Sequence, residues 1–163
     1  MDLILKKLLN KQFFVTKMKI LTTKKDLTLL RRIKKYEDLI STYYPNYREW
    51  FQTKMLPGIL QGTREIIAIE DSDGVVAFIS LKKEEERKIC TLYVDKKYRK
   101  KGLGTILVKK GLEYLETPSP LLTIPADKIK MFKKMIKKYN WKITASVDNE
   151  IIVNGRNKVY LKK

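Results

Sequence analysis

Six residues, Arg99-Lys100-Lys101-Gly102-Leu103-Gly104, constrain this chain more than any others because of what flanks them. Before them runs Lys88-Ile-Cys-Thr-Leu-Tyr-Val-Asp95, rich in β-branched and aromatic residues and therefore strand-like. After them runs Thr105-Ile-Leu-Val-Lys-Lys-Gly-Leu-Glu-Tyr-Leu-Glu116, whose apolar spacing is helical. A strand that enters a helix through a basic, glycine-containing turn builds an anion site. The first N–H groups of a helix have no intrahelical partner, and the helix dipole adds partial positive charge there. Gly102 and Gly104 let the backbone come close to a bulky ligand and take φ values that a Cβ disfavours. Arg99, Lys100 and Lys101 add formal charge. The stretch reads as a cradle for a diphosphate.

Spacing excludes two common glycine-rich phosphate loops: neither Gly-x-x-x-x-Gly-Lys-Ser/Thr nor Gly-x-Gly-x-x-Gly occurs. What does occur is Arg-x-x-Gly-x-Gly after a Leu92-x-Val94-Asp95 strand end. In this segment the chain resembles the GNAT (Gcn5-related N-acetyltransferase) family. The resemblance implies an α/β fold with a mixed, mostly antiparallel central sheet flanked by helices. It implies acetyl-CoA as cofactor, with Arg99, Lys100, Lys101, Gly102, Leu103, Gly104 and Thr105 around the pyrophosphate. The backbone of Leu92, Tyr93 and Val94 would run along the pantetheine arm. The implied activity is transfer of an acetyl group to a primary amine by direct attack in a ternary complex.

Composition narrows the remaining choices. At 163 residues the chain is long enough for one domain with a sizeable core. It holds no run of 18 apolar residues that would span a membrane. A single cysteine, Cys90, allows no internal disulfide and suits a reducing cytoplasm. With one cysteine and no histidine there are too few ligands for a zinc site, and no metal is expected. The missing histidine also removes Ser-His and Cys-His nucleophile pairs, and most hydrolase chemistry with them. The formal charge of +18 attracts nucleic acid, anionic lipid or acidic partners. Yet 29 of the 36 basic residues are lysine, and arginine is the better reader of phosphate and base edges. The skew equally fits the lysine and isoleucine codons of an AT-rich genome.

Two segments follow from the pattern. Residues 1–17 form a basic amphipathic extension with Leu5, Leu8, Leu9 and Phe13 clustered, and residues 18–163 form the N-acetyltransferase domain. The extension either docks on the domain, lies on a membrane surface, binds a partner, or precedes a true start at Met18. From Lys19 the order reads strand, helix, helix, strand, strand, strand, helix, strand, helix, strand, strand. Asp26 is the expected N-cap of a helix reaching Ile40. Tyr47 to Leu60 forms a second helix with Trp50 and Phe51 turned to the core. Asp71-Ser-Asp-Gly74 joins two strands as a hairpin turn. Trp141 to Val147 and Lys158 to Leu161 are expected to close the sheet as a hairpin.

The side chains of catalysis are less evident. The resemblance implies a polarising backbone N–H near Leu92, a glutamate base early in that strand and a tyrosine acid in the last helix. Counted positions give Lys88 for the base and Ile136 for the acid, and neither can serve. Tyr139, almost one turn beyond Ile136, is the candidate catalytic residue. Tyr93, Tyr98 and Cys90 are weaker ones, and Cys90 reads better as a small core residue. Tyr43, Tyr44 and Tyr47 with Trp50 fall where the family builds its acceptor wall, although core packing explains them equally well. Lys128, Lys130, Lys133, Lys134, Lys137 and Lys138 stripe the last helix, either as a solvated face or as a track for tRNA or another polyanion. The acceptor is expected to be a small metabolite, a protein amine or aminoacyl-tRNA, and a homodimer is compatible with all three. A different class of reading is a basic nucleic-acid- or partner-binding module that keeps a vestigial CoA site.

Overall fold

The computed structural model describes residues 18–155, so the extension 1–17 and the strand expected at Lys158–Leu161 lie outside the described residues. Strand β1 (Lys19–Thr22) leads through α1 (Leu29–Arg32) and a short 3-10 turn to α2 (Glu37–Tyr43). Next come α3 (Tyr47–Trp50), a π turn and α4 (Leu56–Gln61), then β2 (Arg64–Asp71), β3 (Gly74–Lys83) and β4 (Arg87–Val94). Helix α5 (Leu103–Leu115), β5 (Leu122–Pro125), α6 (Ile129–Lys138), β6 (Ile143–Val147) and β7 (Glu150–Val153) complete the order.

The strands form two antiparallel sheets, β1-β2-β3-β4 and β5-β7-β6. Strands β2 and β3 are buried on both faces, so their alternation sorts apolar side chains between two cores rather than between core and water. Ile67, Ile69, Ala77, Ile79 and Leu81 face α5 with Leu103, Leu107 and Leu115. Ile66, Ala68 and Phe78 face the other way, onto Leu29, Ile33, Tyr36, Ile40, Tyr47 and Met55 from the α1–α4 segment. Helix α5 lies close on the sheet at Gly111, where a Cβ would stand 3.1 Å from Ile79 Cδ1 and Leu81 Cδ2.

Two expectations need correction. The first helix is not continuous from Asp26 to Ile40 but breaks into α1, a 3-10 turn and α2. Asp26 Oδ1 instead accepts from Thr28 N at 3.0 Å and Thr28 Oγ1 at 2.6 Å, closing a local turn ahead of the helix. The strand that follows β6 and pairs with it is Glu150–Val153, which was not among the expected strands. Asp148 (φ 49°) and Asn149 (φ 64°) are both left-handed, the conformation of a tight two-residue hairpin that Asp and Asn tolerate.

Helix α5 carries the basic turn on its N-terminus, and Leu107, wholly buried, fastens it to the sheet. Leu107→Ala is expected to cost about 2–5 kcal/mol of stability in urea unfolding while leaving the turn's backbone intact. On the opposite face, burial is the chief cause that raises the Tyr44 phenol from its ordinary 10.0 to about 12, with Glu150 and Asp127 adding to it. The folded chain therefore keeps a proton that the unfolded chain loses. This contribution to stability is complete below pH 10 and disappears as pH rises through 12. Tyr44→Phe should remove one late-ionising phenol from an ultraviolet titration and flatten the alkaline fall of the urea midpoint.

Candidate active site

Strands β4 and β5 meet at one end only. Ile89 N donates to Leu121 O at 3.0 Å and Leu121 N to Arg87 O at 2.9 Å, forming a parallel bridge between Lys88 and Leu121. Beyond it β5 pairs with β7 on its other side, and β4 continues with β3 alone. Asp95 N donates to Val76 O at 2.8 Å, which fixes the phase of the β3–β4 ladder. Alternation through Phe78↔Tyr93 and Ile79↔Leu92 then turns the backbone groups of Tyr93 toward β3 and those of Leu92 and Val94 toward the open side. Cys90 is the extra residue of a bulge between Thr91↔Ser80 and Ile89↔Leu81, just before the open stretch. Nothing among the described residues bonds the outward groups of Leu92.

The open edge leads into the turn. Asp95 accepts from Lys97 N at 3.1 Å and caps a 3-10 turn, Lys96–Tyr98. The Tyr98 hydroxyl donates to the Asp71 carboxylate and lies 3.3 Å from Asp73, tying the turn to the β2–β3 hairpin. Lys100 (φ 63°) and Gly102 (φ 85°) are left-handed, so the turn reverses in two steps before α5 begins. Only the second step uses glycine, and the first places a lysine in a conformation that disfavours Cβ. Gly102 caps α5 without a side-chain bond, and no acid stands in the first turn. The N–H groups of Leu103, Gly104 and Thr105 consequently face outward without intrahelical partners. A Cβ at Gly104 would meet Met135 Cε at 3.4 Å and Val94 Cγ2 at 3.9 Å, ordinary contacts. Protein packing alone does not demand glycine there, whereas close approach of a ligand would.

Arg99 is exposed but folds back onto the strand edge. Its Nε donates to Val94 O at 3.0 Å, the carbonyl on the open edge, and its positive charge acts on the Tyr93 hydroxyl. Leu92, Tyr93, Val94 and the Arg99–Thr105 turn are thus brought together around the mouth of the gap between β4 and β5.

The other side of the mouth is aromatic. Tyr93 lies against Tyr36, with ring centroids 4.7 Å apart, and against Phe78 at 6.1 Å. The Tyr36 hydroxyl lies 2.7 Å from Val75 O and 3.0 Å from Asp95 Oδ2, two acceptors that share its one proton, and burial raises its pKa well above the ordinary phenol range. Burial raises the Tyr93 hydroxyl too, with Asp95 and Tyr43 adding to it and Arg99 opposing. Tyr43 meets the 3-10 turn Ala126–Lys128 that follows β5, where Lys128 Nζ stands 4.8 Å from its ring centroid. Tyr36 and Asp95 were not anticipated as neighbours of the site. The Leu29, Ile33, Tyr36, Ile40 spacing shows that Tyr36 faces the core, but only the fold reveals its hydroxyl at the end of β4.

Tyr139, the candidate catalytic residue, ends α6 with its ring stacked on Trp141 at 5.5 Å and Lys138 Nζ 5.3 Å from its centroid. Trp141 is itself pinned by Nε1 donating to Pro118 O at 2.8 Å. Ile136 packs on the α5 core, and Lys88 lies at the closed end of the gap. Burial pushes the Cys90 thiol up, away from the thiolate a nucleophile needs. Lys130, Lys133, Lys134, Lys137 and Lys138 are all exposed on α6, and that helix contains no acid. The contact between Met135 and Gly104 sets this basic helix beside the basic turn. Among the described residues no helix is long and apolar enough to cross a membrane.

Comparison with known proteins identifies this arrangement. The PaiA N-acetyltransferase of Thermoplasma acidophilum, solved with coenzyme A, superposes with a TM-score of 0.60 at 18% identity, over 83% of this chain and 96% of that one. An acetyltransferase of Streptococcus agalactiae gives 0.56 at 17% identity, covering 84% and 96%. PH1933 of Pyrococcus horikoshii gives 0.55 at 20% identity, covering 71% and 76%. At these identities the likeness is one of fold. No curated protein matches the sequence. The family model for the acetyltransferase (GNAT) family matches residues 29–122, from the start of α1 to the start of β5, and includes both the open strand and the basic turn. More than half of the sequence is covered by that match, and the chain belongs to the GNAT acetyltransferase family.

Proposed function

We propose that this protein transfers the acetyl group of acetyl-CoA to a primary amine, in the cytoplasm. The observation that carries the reading is a juxtaposition. The outward backbone of Leu92 and Val94 runs directly into the acid-free turn at Arg99–Thr105, so consecutive segments would hold an amide-bearing arm and a diphosphate. Bound acetyl-CoA supplies an activated thioester carbonyl, and the rest of the chemistry falls to the chain. The Leu92 N–H, without a partner across the gap, is the donor suited to polarise that carbonyl. Arg99 would leave Val94 O to the arm and join the N–H groups of Leu103, Gly104 and Thr105 on the diphosphate. Tyr43 and Tyr44 would wall the acceptor side.

With lysine at the counted base position, the reading favours an amine that loses its proton readily, with water as base and proximity as the main source of rate. An α-amine, as at a protein N-terminus or on aminoacyl-tRNA, offers such a nitrogen, whereas a lysine ammonium holds its proton to about pH 10. Tyr139 is the proposed proton donor to the departing thiolate. Tyr139→Phe should lower kcat by about 10²-fold or more with acetyl-CoA affinity and urea midpoint unchanged. An unaltered kcat would assign Tyr139 to packing on Trp141 alone.

A second reading rests on α6. Five exposed lysines with no acid on the same helix, adjoining the basic turn, suit a nucleic-acid backbone, and a binding module with a vestigial CoA site would use the same surface. Calorimetry separates the two. Wild-type chain should bind acetyl-CoA in the micromolar range, and the double variant Gly102→Glu/Gly104→Glu should lose that binding by charge and bulk. A folded wild type that ignores acetyl-CoA but binds RNA with steep salt dependence would overturn the enzyme reading in favour of the second.

A further inference from the structure

We infer that the acceptor of this site is a peptide α-amine with a nearby carboxylate side chain, which Arg64 receives on the α1–α4 face of the sheet; the inference rests on the acetyltransferase reading above. Arg64 itself is the first support. It opens β2, and its parity with Ile66 and Ala68 turns it toward the α1–α4 segment. Its side chain is only 10% exposed. The stem passes so close to Gly58 that a Cβ there would stand 2.5 Å from Arg64 Cγ and Cδ. The guanidinium carbon lies 6.0 Å from the Trp50 ring centroid. A glycine and a tryptophan thus give this side chain a seat. Its N–H donors make no hydrogen bond among the described residues, and one carboxylate comes within ion-pair range, the half-exposed Glu84 at 4.0 Å. A guanidinium so enclosed calls for an acceptor that the chain does not supply.

The second support is the row in which Arg64 stands. Cross-strand register sets Arg64 beside Lys82 and Lys82 beside Lys88, three cations across β2, β3 and β4. Like charges directly opposite one another repel and need counter-charge. Lys82 is answered by Glu86 at 3.1 Å and Glu84 at 3.7 Å, whereas Lys88 forms no ion pair among the described residues. One row further along the same face lie Ile66, Ser80 and Thr91. Ser80 is buried, and its Oγ has no hydrogen-bond partner among the described residues. An unanswered guanidinium and an orphaned hydroxyl on adjacent rows of one face suit an anionic group between the sheet and α3.

The third support is position. Helix α5 and the basic turn occupy the opposite face, which leaves the acceptor the face that carries Tyr93. Arg64, Lys82 and Lys88 all act on the Cys90 thiol, two residues before Leu92. From the cation row to Leu92 the span is on the order of 10–15 Å, that of three or four extended residues. Polarity agrees with that span. Asp95 at the end of β4, with Asp127 and Glu150 near Tyr44, favours an ammonium, and the Arg64 end favours a carboxylate. A peptide with a free α-amine and an acidic side chain at its third or fourth position has this length and this polarity.

Tetrapeptide amides with the full chain and acetyl-CoA test this, with release of CoA thiol as the readout. Ala-Ala-Glu-Ala and Ala-Ala-Ala-Glu amides should exceed their glutamine counterparts in kcat/KM by about tenfold, the difference lying in KM rather than kcat. Arg64→Gln should remove most of that preference, and Arg64→Lys, which keeps the charge and loses the fork, should restore part of it. Lys88→Gln, at a less buried position, should lower the preference several-fold. Because the preference is a ratio within one protein, partial unfolding of a variant does not change it. Equal rates on acidic and neutral peptides, or a preference untouched in both Arg64→Gln and Lys88→Gln, would overturn the inference. A chain that binds acetyl-CoA but acetylates aminoacyl-tRNA and none of the peptides would also overturn it, while leaving the acetyltransferase reading intact. Absence of acetyl-CoA binding would instead defeat that reading itself.

Discussion

The active-site architecture depends on a pairing that is made at one end and abandoned. Two hydrogen bonds join Arg87 and Ile89 to Leu121, and after them β5 turns its ladder to β7. The second sheet holds the start of β5 firmly: Trp141 Nε1 donates to Pro118 O, and Asn154 Nδ2 to Pro120 O at 2.9 Å. Strand β4 is therefore interior to the structure at its beginning and an open edge at its end. Backbone groups on such an edge need partners from water or from another chain-like molecule. A ligand carrying amides at strand-like spacing meets that need, which is why a polypeptide edge and a pantetheine arm are complementary without any particular side chain.

Charge is distributed unevenly around this gap. The turn and α6 are cationic, with no acid anywhere in residues 96–112 or 128–147. The tyrosine side collects carboxylates instead, with Asp95 bonded to Tyr36, and Asp127 and Glu150 near Tyr44. The overall charge of +18 consequently says little about the acceptor itself. Long-range attraction favours polyanions, while the immediate surroundings of the mouth are aromatic and partly acidic, a setting compatible with an ammonium. Arg99 stands between the two regions, bonded to the open edge at Val94 O, so a diphosphate that drew it away would free that carbonyl.

What could be read from the sequence was what short-range chemistry determines. The strand, turn and helix around Arg99–Gly104 are consecutive, and their propensities, charges and glycines lie within one stretch of chain. The Asp71–Gly74 hairpin was legible for the same reason. The strand Glu150–Val153 went unread because its run is only four residues long. Asp148-Asn149, two residues tolerant of left-handed backbone, was the better guide to the closing hairpin. The Cys90 bulge, the Tyr36–Asp95 bond and the Lys128–Tyr43 contact join residues distant in sequence or depend on a single slipped register, and no local pattern encodes them.

Counting along a motif failed at the catalytic side chains for a related reason. Motif spacing transfers backbone positions, and the outward Leu92 N–H exists whatever its side chain. At Lys88 and Ile136 the side chains are not the base and acid the spacing calls for; the backbone around Lys88 makes the bridge, and Ile136 packs on the α5 core. An acyl-transfer site built mainly from backbone donors, with aromatic and cationic walls, depends on geometry more than on titration. That geometry is the separation of β4 from β5. Among the described residues one backbone bridge joins the two strands, at their starts. An arm lying in the gap would bond to β4, pack against β5 and displace contacts at the mouth. Cofactor binding and acceptor access would thus act on one structural variable, the width of an unfinished sheet.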